Sequence, residues 1–566
     1  MSTLLSRSRS FFWLVCLLIA SVANAATQVD LLIRNGVVYD GSGNAPVRGD
    51  VAVNDGRVVA VGALRDYTAS RQLDAKGLAV APGFINVLSW APETLIEDGR
   101  GMSDIKQGVT LEIFGEGNSY GPVNTAIREE MLKTQGDIRF DIPWNTLGEY
   151  LDFLVKKGVS PNVASFVGAT TVREYVVGFD DRPPTAAELL KMQDLVRQAM
   201  REGALGVGSS LIYAPAAYAK TDELVAITQA AGEFGGAYIS HMRSEGDRLL
   251  EALDELILIA RSANVHAEAY HLKAAGEKNW PKMRQAITRI EAARKEGLSI
   301  SANMYAYTAG ATGLDAAMPP WVQEGGLDAW VERLKQPAIR ERVIREMREP
   351  APDWESLYLA AASPERVLLI GFKSDKLKPL TGKTLGAVAK MRGKSPEETA
   401  LDLVIEDHTR VSTAYFLMSE DNVKLGLSQP WVSLGSDEGA PATEGVFLKS
   451  NAHPRAYGNF ARFLGRYVRD EKVTTLQDAI RRLARLPAEN FKLKDRGCLD
   501  RGCYADIVIF DPAKIADHAT FDKPHQYATG VAHVFVNGVQ VLRDGEHTGA
   551  TPGQVVRGPG WTGWKK

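Results

Sequence analysis

Cysteine is almost absent from this chain, with three in 566 residues, at positions 16, 498 and 503. The first lies in an N-terminal segment where Arg7 and Arg9 precede an apolar run, Phe11 to Val22, that ends in Ala23-Asn24-Ala25. A basic flank, a short apolar core and an A-x-A site predict a secretory signal peptide over residues 1–25, cut after Ala25. The run falls short of the about twenty apolar residues a membrane span needs, which favours a cleaved signal over an anchor helix. No cysteine follows the cleavage site, which argues against lipid anchoring there. Once Cys16 leaves, Cys498 and Cys503 remain around Leu499-Asp-Arg-Gly502. They either pair in an oxidising compartment or stand on opposite faces of a hairpin. Neither acidic nor basic residues are in large excess: the net charge is −3, with 24% charged and 45% hydrophobic residues. That balance gives no footing for nucleic acid or an anionic membrane surface as partner. A secreted, periplasmic protein with a large globular core of about 540 residues is expected.

What is present is organised in two styles. Near both ends the chain alternates apolar and polar residues around turn signals. Leu31–Tyr39 contains Asn35-Gly36, Val51–Val61 contains Asp55-Gly56, and the C-terminal segment offers Ala505–Phe510 and His533–Leu542. The Asn-Gly and Asp-Gly pairs mark hairpins. Together these ends predict one small β-sandwich from residues 29–82 and 490–566. Between them, apolar strand-like runs alternate with helical segments: Phe84–Leu88, Leu111–Phe114, Ala164–Gly168, Gly206–Leu211, Ala237–His241, Ala267–Leu272, Ile300–Tyr305 and Trp431–Asp437. Such a series predicts an α/β fold, a (β/α)₈ TIM-like barrel over residues 83–489. The stretch from Tyr307 to Trp431 is too long for one loop, and its Pro319-Pro320-Trp321 and amphipathic Trp330–Arg348 predict an inserted helical lid at about 313–400.

Three of these runs end on residues able to hold a metal. Tyr238-Ile-Ser-His-Met-Arg243 and Ala269-Tyr-His-Leu-Lys273 each pass from apolar residues to a histidine and then a cation, and Val432-Ser-Leu-Gly-Ser-Asp437 ends on a carboxylate. Two imidazoles and a carboxylate from strand ends can hold one Zn²⁺ and activate its water, so the residues predict a metal-dependent hydrolase. Of the nine histidines, only His241 and His271 sit at such ends. His266 begins its strand, His408 lies in an acidic helical stretch, and His518, His525, His533 and His547 fall in the C-terminal segment. His453, in a proline-containing loop, is placed to line the pocket without binding metal.

The residues Ala81-Pro-Gly-Phe-Ile85, Gln107-Gly-Val-Thr110, His241, His271-Leu-Lys273, Tyr305-Ala-Tyr-Thr-Ala-Gly-Ala-Thr312, Gly435-Ser-Asp437, His453-Pro-Arg-Ala-Tyr-Gly458 and Phe521-Asp-Lys-Pro-His-Gln-Tyr527 resemble the N-acyl-D-amino-acid deacylase (D-aminoacylase) branch of the amidohydrolase superfamily. The resemblance spans nearly the whole mature chain. It implies a site that departs from the family pattern twice. Where the family's first barrel strand ends in His-x-His, this chain has Leu88-Ser89-Trp90, so half of a two-metal centre is missing. Where a strand-2 cysteine is expected, it reads Gly115-Glu-Gly-Asn118. Glu116 then stands as the replacement ligand beside His241 and His271, with Glu112 as the alternative.

The resemblance further implies one Zn²⁺ per chain, Asp437 as the catalytic acid and base, and Lys273, Tyr305 or Tyr307, and Arg455 around a substrate α-carboxylate. The expected partner is a small N-acyl amino acid of D configuration. A D- or iso-peptidase, a cyclic-amide hydrolase and a non-catalytic barrel with a degenerate metal site remain as other readings. Arg455 has its own alternative, an ion pair with Glu438 or Glu444.

Overall fold

The computed structural model describes residues 26–563 except Pro352; the signal peptide read at 1–25 lies outside them. Among the described residues no helix is long and apolar enough to cross a membrane. The middle of the chain is an α/β fold. Six strands pair in parallel, from Val167–Gly168 through Gly206–Ser210, Ala237–His241, Ala267–Ala269 and Ile300–Met304 to Val432–Leu434. Three more, Phe84–Asn86, Val109–Phe114 and Asn162–Ser165, form a second parallel set. Backbone hydrogen bonds join the two sets on both sides. Leu205 N–H donates to Ser165 O at 2.9 Å, Val87 N–H to Leu434 O at 3.4 Å, and Asp437 N–H to Leu88 O at 2.9 Å. These strands are buried on both faces, which is why they read as continuous apolar runs without alternation.

The helices between them follow local rules. Leu147–Lys157 and Ala186–Arg201 each start with a capping box, Thr146 with Glu149 and Thr185 with Glu188, which satisfies orphan N–H donors at both ends of the motif. Leu249–Ala263 turns Leu253, Leu256, Ile259 and Ala260 inward and ends at Asn264 in the left-handed region, the conformation that commonly closes a helix.

Both chain ends meet in one nine-stranded sheet. The long strand Thr27–Val38 pairs antiparallel with Val47–Asn54 and parallel with Tyr67–Asp74 and Ala79–Pro82. Ala79–Pro82 in turn pairs with Ile507–Phe510, bringing in Val531–Val536 and Val539–Arg543. Asp55-Gly56 and Asn537-Gly538 are hairpin turns with all four residues at positive φ, the conformation that favours these residue types. Asn35-Gly36 is not. It makes a bulge inside Thr27–Val38, where the register slips between Ile33 and Gly36 and a Cβ on Gly36 would meet Val80 Cγ2 at 2.5 Å. The pair was chosen for close approach rather than for a chain reversal. Cys498 and Cys503 are joined in a disulfide.

The long segment after Tyr307 is not purely helical. It holds an antiparallel sheet of Ala309–Gly313, Ser412–Phe416 and Val367–Gly371 together with the helices Gly326–Leu334, Pro337–Arg348, Leu385–Arg392 and Pro396–Asp407. Its own apolar cluster includes Leu314, Trp330, Leu334, Leu369 and Leu401, and Tyr305 and Tyr307 belong to it. Helical periodicity draws the eye to Trp330–Arg348, while short strands such as Val367–Gly371 carry no distinguishing period.

A buried polar knot ties the terminal sheet to the parallel strands. Asp506 accepts from Asn162 Nδ2 (3.3 Å to each oxygen) and from the Asn537 backbone N–H (2.8 Å), and it pairs with buried Arg496. Asn537 Nδ2 completes the circuit to Asn162 Oδ1 at 2.8 Å. Removing one partner of such a pair leaves an uncompensated buried charge. Asp506→Ala is therefore expected to destabilise the fold by about 3–5 kcal/mol, the usual range for a broken buried pair. A urea unfolding midpoint unchanged from wild type would contradict it.

Candidate metal centre

Glu116 follows the strand Val109–Phe114 and lies between Gly115 (φ +104) and Gly117 (φ +74). A Cβ on Gly115 would meet Phe166 O at 2.4 Å, and one on Gly117 would meet Ser210 Cβ at 2.4 Å. The two glycines let the chain turn sharply against its neighbours and point Glu116 inward. His241 ends its strand, paired in register with Ser210. His271 lies beyond Ala267–Ala269 at φ +35, its N–H donating to Asn303 Oδ1 at 2.8 Å. Asp437 also has a left-handed backbone, at φ +54. Such conformations are costly for residues with a Cβ, and they persist where the surroundings over-determine them.

The three proposed ligands converge. Glu116 Oε1 is 3.1 Å from His241 Nδ1 and 2.9 Å from His271 Nε2. All three donor atoms lie within 4.8 Å of one another, and all three residues are buried. Tetrahedral Zn²⁺ with N and O ligands at about 2.0–2.2 Å sets them on the order of 3.3 Å apart, so the donor set fits such an ion with small outward shifts. The other grouping of possible ligands, Cys498, Asp500 and Cys503, has both sulfurs committed to the disulfide. Glu112 does not reach the histidines. It lies deeper, where Asn86 Nδ2 donates to it at 3.0 Å and to Asp104 at 3.0 Å. Burial first, and then the charge of Glu112, pushes the Asp104 carboxyl well up, and burial also raises Glu112. The two acids and Asn86 form a buried polar group beneath the site.

Glu245, which the strand-end pattern did not bring out, backs both imidazoles. Its Oε1 is 2.9 Å from His271 Nδ1 and its Oε2 is 3.7 Å from His241 Nε2, an atom that otherwise has no hydrogen-bond partner. A carboxylate behind a ligating histidine fixes its tautomer and raises its basicity. The only sequence signal was its place four residues after His241 in the Tyr238–Glu245 run. Lys273 Nζ is 2.5 Å from Glu245 Oε1 and 2.8 Å from His271 Nδ1. The lysine is therefore neutralised by Glu245 and serves the histidine; it is not a free rim charge awaiting a carboxylate.

Burial would raise the Glu116 carboxyl, but the charge of His271 and hydrogen bonds from both imidazoles outweigh it and hold it well below the usual range. Burial likewise opposes a charged Glu245, and Lys273 with the two histidines overcomes it. Burial and Lys273 press His271 downward, yet the two carboxylates push it up to about 9. With neutral imidazoles, two carboxylates against one lysine leave a net negative charge that a cation bound among the imidazoles would balance.

On the facing side, Arg455 is buried with Nη1 2.9 Å from Asp437 Oδ2 and Nη2 donating to Asp437 O at 2.7 Å. Its Nε lies 3.8 Å from Glu438. Nε and Nη1 nonetheless have no hydrogen-bond acceptor, since the ion contact at Nη1 is off-axis. Its guanidinium covers the Tyr305 ring at 4.4 Å. Burial raises Asp437, which Arg455 opposes. Tyr307 turns the other way. Its hydroxyl donates to Pro454 O at 3.3 Å and approaches Asp517, beneath Arg462, so of the Tyr-x-Tyr pair only Tyr305 faces the metal side. His453 is buried and structural: Nε2 meets Ala309 O at 3.0 Å while Nδ1 accepts from the Arg455 N–H at 3.0 Å.

A model of the amidohydrolase family matches residues 142–542. The D-aminoacylase of Alcaligenes xylosoxydans xylosoxydans is 32% identical over 533 residues, covering 93% of this chain and 97% of its own. The crystal structure of N-acyl-D-glutamate deacylase from Bordetella bronchiseptica, complexed with zinc and a phosphonate mimic of the tetrahedral intermediate, superposes with a TM-score of 0.77 at 28% identity. It covers 94% of this chain and 100% of that one. A D-aminoacylase structure addressing its binuclear metal centre, with one-metal activation and second-metal attenuation, superposes with a TM-score of 0.77 at 30% identity and the same coverage.

Glu245→Gln keeps the size and acceptor oxygen of Glu245 while removing its charge. Zinc affinity is expected to fall by about 10–100-fold, as for other carboxylates behind a metal-ligating histidine. Metal titration against a chromophoric chelator measures it, and an unchanged affinity would show that Glu245 does not support the ligands.

Proposed function

This chain belongs to the amidohydrolase family, and from that premise we propose that it is a zinc-dependent deacylase releasing the acyl group from N-acyl amino acids of D configuration. It is an enzyme that hydrolyses amide bonds. The observation carrying the reading is the convergence of Glu116, His241 and His271 on one point, with Asp437 beside it. One metal ion held by these three residues is the proposed cofactor. Zinc, when bound, supplies a Lewis acid for the amide carbonyl and lowers the pKa of the attacking water towards about 7.

The chain's own residues supply the rest. Asp437 receives the proton of the water and hands it to the leaving amine nitrogen. Glu245 and Lys273 hold the His271 ring at the angle its ligand nitrogen needs. Arg455, whose buried Nε has no hydrogen-bond acceptor, receives the α-carboxylate of the substrate over the Tyr305 ring. Arginine suits this because its planar fork keeps its charge and its geometry even when buried.

The finer architecture is also our reading: a closed (β/α)₈ barrel over 83–489, a β-sandwich from 29–82 and 490–566, and an insertion at about 313–400 that acts as a lid. The parallel pairings, the hydrogen bonds joining the two parallel sets at Leu88 and Leu205 and the separate apolar cluster of the insertion support it. The residue pattern of 1–25 supports export and a periplasmic location.

With one equivalent of zinc, turnover of N-acyl-D-amino acids is expected to exceed that of the L-enantiomers and of the matching D-carboxamides. Asp437→Asn is expected to retain its zinc while kcat falls by about 10²–10⁴, the scale of a positioned acid and base. No cleavage of any N-acyl amino acid by the zinc-loaded protein would reject the function. Wild-type turnover in the zinc-loaded variant would reject the role of Asp437.

A further inference from the structure

The indole of Trp90 sits where a cation would be expected. Its Nε1–H points at two carboxylates at once, Glu116 Oε2 at 2.9 Å and Asp437 Oδ1 at 3.1 Å. Two carboxylate oxygens brought this close repel each other unless a positive or donor group lies between them. In this chain that group is neutral. Glu116 presents its other oxygen to the imidazoles, and Asp437 presents its other oxygen to Arg455. Each acid is therefore held at both ends, and among the described residues Trp90 is the side chain that hydrogen-bonds to both.

The backbone fixes the indole there. Trp90 N–H donates to Glu438 O at 2.9 Å, and Ser89 bridges Glu438 in parallel. The ring is nonetheless 42% exposed. A large aromatic surface left in solvent beside two buried acids is poorly accounted for by packing, since a tryptophan buried in the core would gain more by hiding its ring. Its polar tip accounts for the placement.

We propose that the Trp90 indole N–H occupies the position between Glu116 and Asp437 that a second cation would take, committing the centre to a single metal while positioning Asp437. This rests on the one-metal deacylase reading above. Trp90 is a positioning residue: it touches the ligand carboxylate and the proton-transfer carboxylate. A neutral donor satisfies both oxygens without adding the charge that a second ion would bring, and that ion would otherwise bind the oxygen Asp437 needs for proton transfer. In the D-aminoacylase whose binuclear centre is activated by one metal, the second metal attenuates.

The test is zinc uptake by equilibrium dialysis with metal analysis, alongside kcat and KM. Wild type is expected to stop at one equivalent and to keep its kcat in excess zinc. Trp90→His, which offers an imidazole in place of the indole, is expected to take up a second equivalent and to lose turnover as it does so. Trp90→Phe, loaded with one equivalent, is expected to lose about tenfold or more in kcat, the scale seen when an outer-shell partner is removed, with KM changed by less than about threefold, since the lost bond orients Asp437 and not the substrate. Wild type binding two equivalents, a Trp90→His protein that still stops at one, or a Trp90→Phe protein with wild-type kcat would each overturn the assignment. These results differ from the failure of the metal reading itself, in which wild type binds no zinc at all. Should a variant fail to fold, two equivalents bound by wild type would still overturn the assignment.

Discussion

Glu116 Oε1 stands 3.1 Å from one imidazole nitrogen and 2.9 Å from another in a buried position, and the surrounding groups keep that carboxylate charged. A buried carboxylate is tolerated only when paired and hydrogen-bonded. Here the pairing is built from three separate strand ends. Two glycines in the left-handed region aim Glu116, and a strained backbone at His271 aims the second imidazole. Glu245 and Lys273 lock the far side of that ring. Remove the Glu116 carboxylate and His241 Nδ1 and His271 Nε2 lose the acceptor they share, with Glu245 left only behind the rings.

The opposite wall obeys the same logic with the sign of the partner changed. Asp437 is clamped between the Arg455 guanidinium and the Trp90 N–H, so its carboxylate is oriented before any substrate arrives. Preorganisation of this kind is worth more in a buried site than in water, because no reorientation is needed during the reaction. Tyr305 connects the wall to the insertion, since it packs in the insertion's apolar cluster and lies under Arg455. Any movement of the segment after Tyr307 therefore reaches Arg455 directly.

Most of the strand framework was legible because buried parallel strands write themselves as unbroken apolar runs, and the histidines of interest ended two of them. The turn residues were less transparent. Asp55-Gly56 and Asn537-Gly538 reverse the chain, whereas Asn35-Gly36 only bulges it, and the difference is set by Val80 pressing on Gly36 from another strand. The place of Glu116 beside the two histidines was legible through the gap left by an expected cysteine. Glu245, Lys273 and Tyr307 were not. Whether a charged or hydroxyl side chain near a strand end meets substrate, a histidine or a distant loop depends on contacts across sequence separations such as Glu245 to His271 or Tyr307 to Asp517, which local pattern does not encode. Trp90 was visible as a departure from a motif, but its bond to two carboxylates came only from the fold.

The central claim is that one metal sits between Glu116, His241 and His271. Diffraction from zinc-loaded crystals on either side of the zinc absorption edge tests it most directly. The account predicts one anomalous peak per chain, bonded to those three side chains, with the Trp90 indole still between Glu116 and Asp437. A peak bonded to Asp437 and not to His271, or a pair of peaks flanking Glu116, would contradict it.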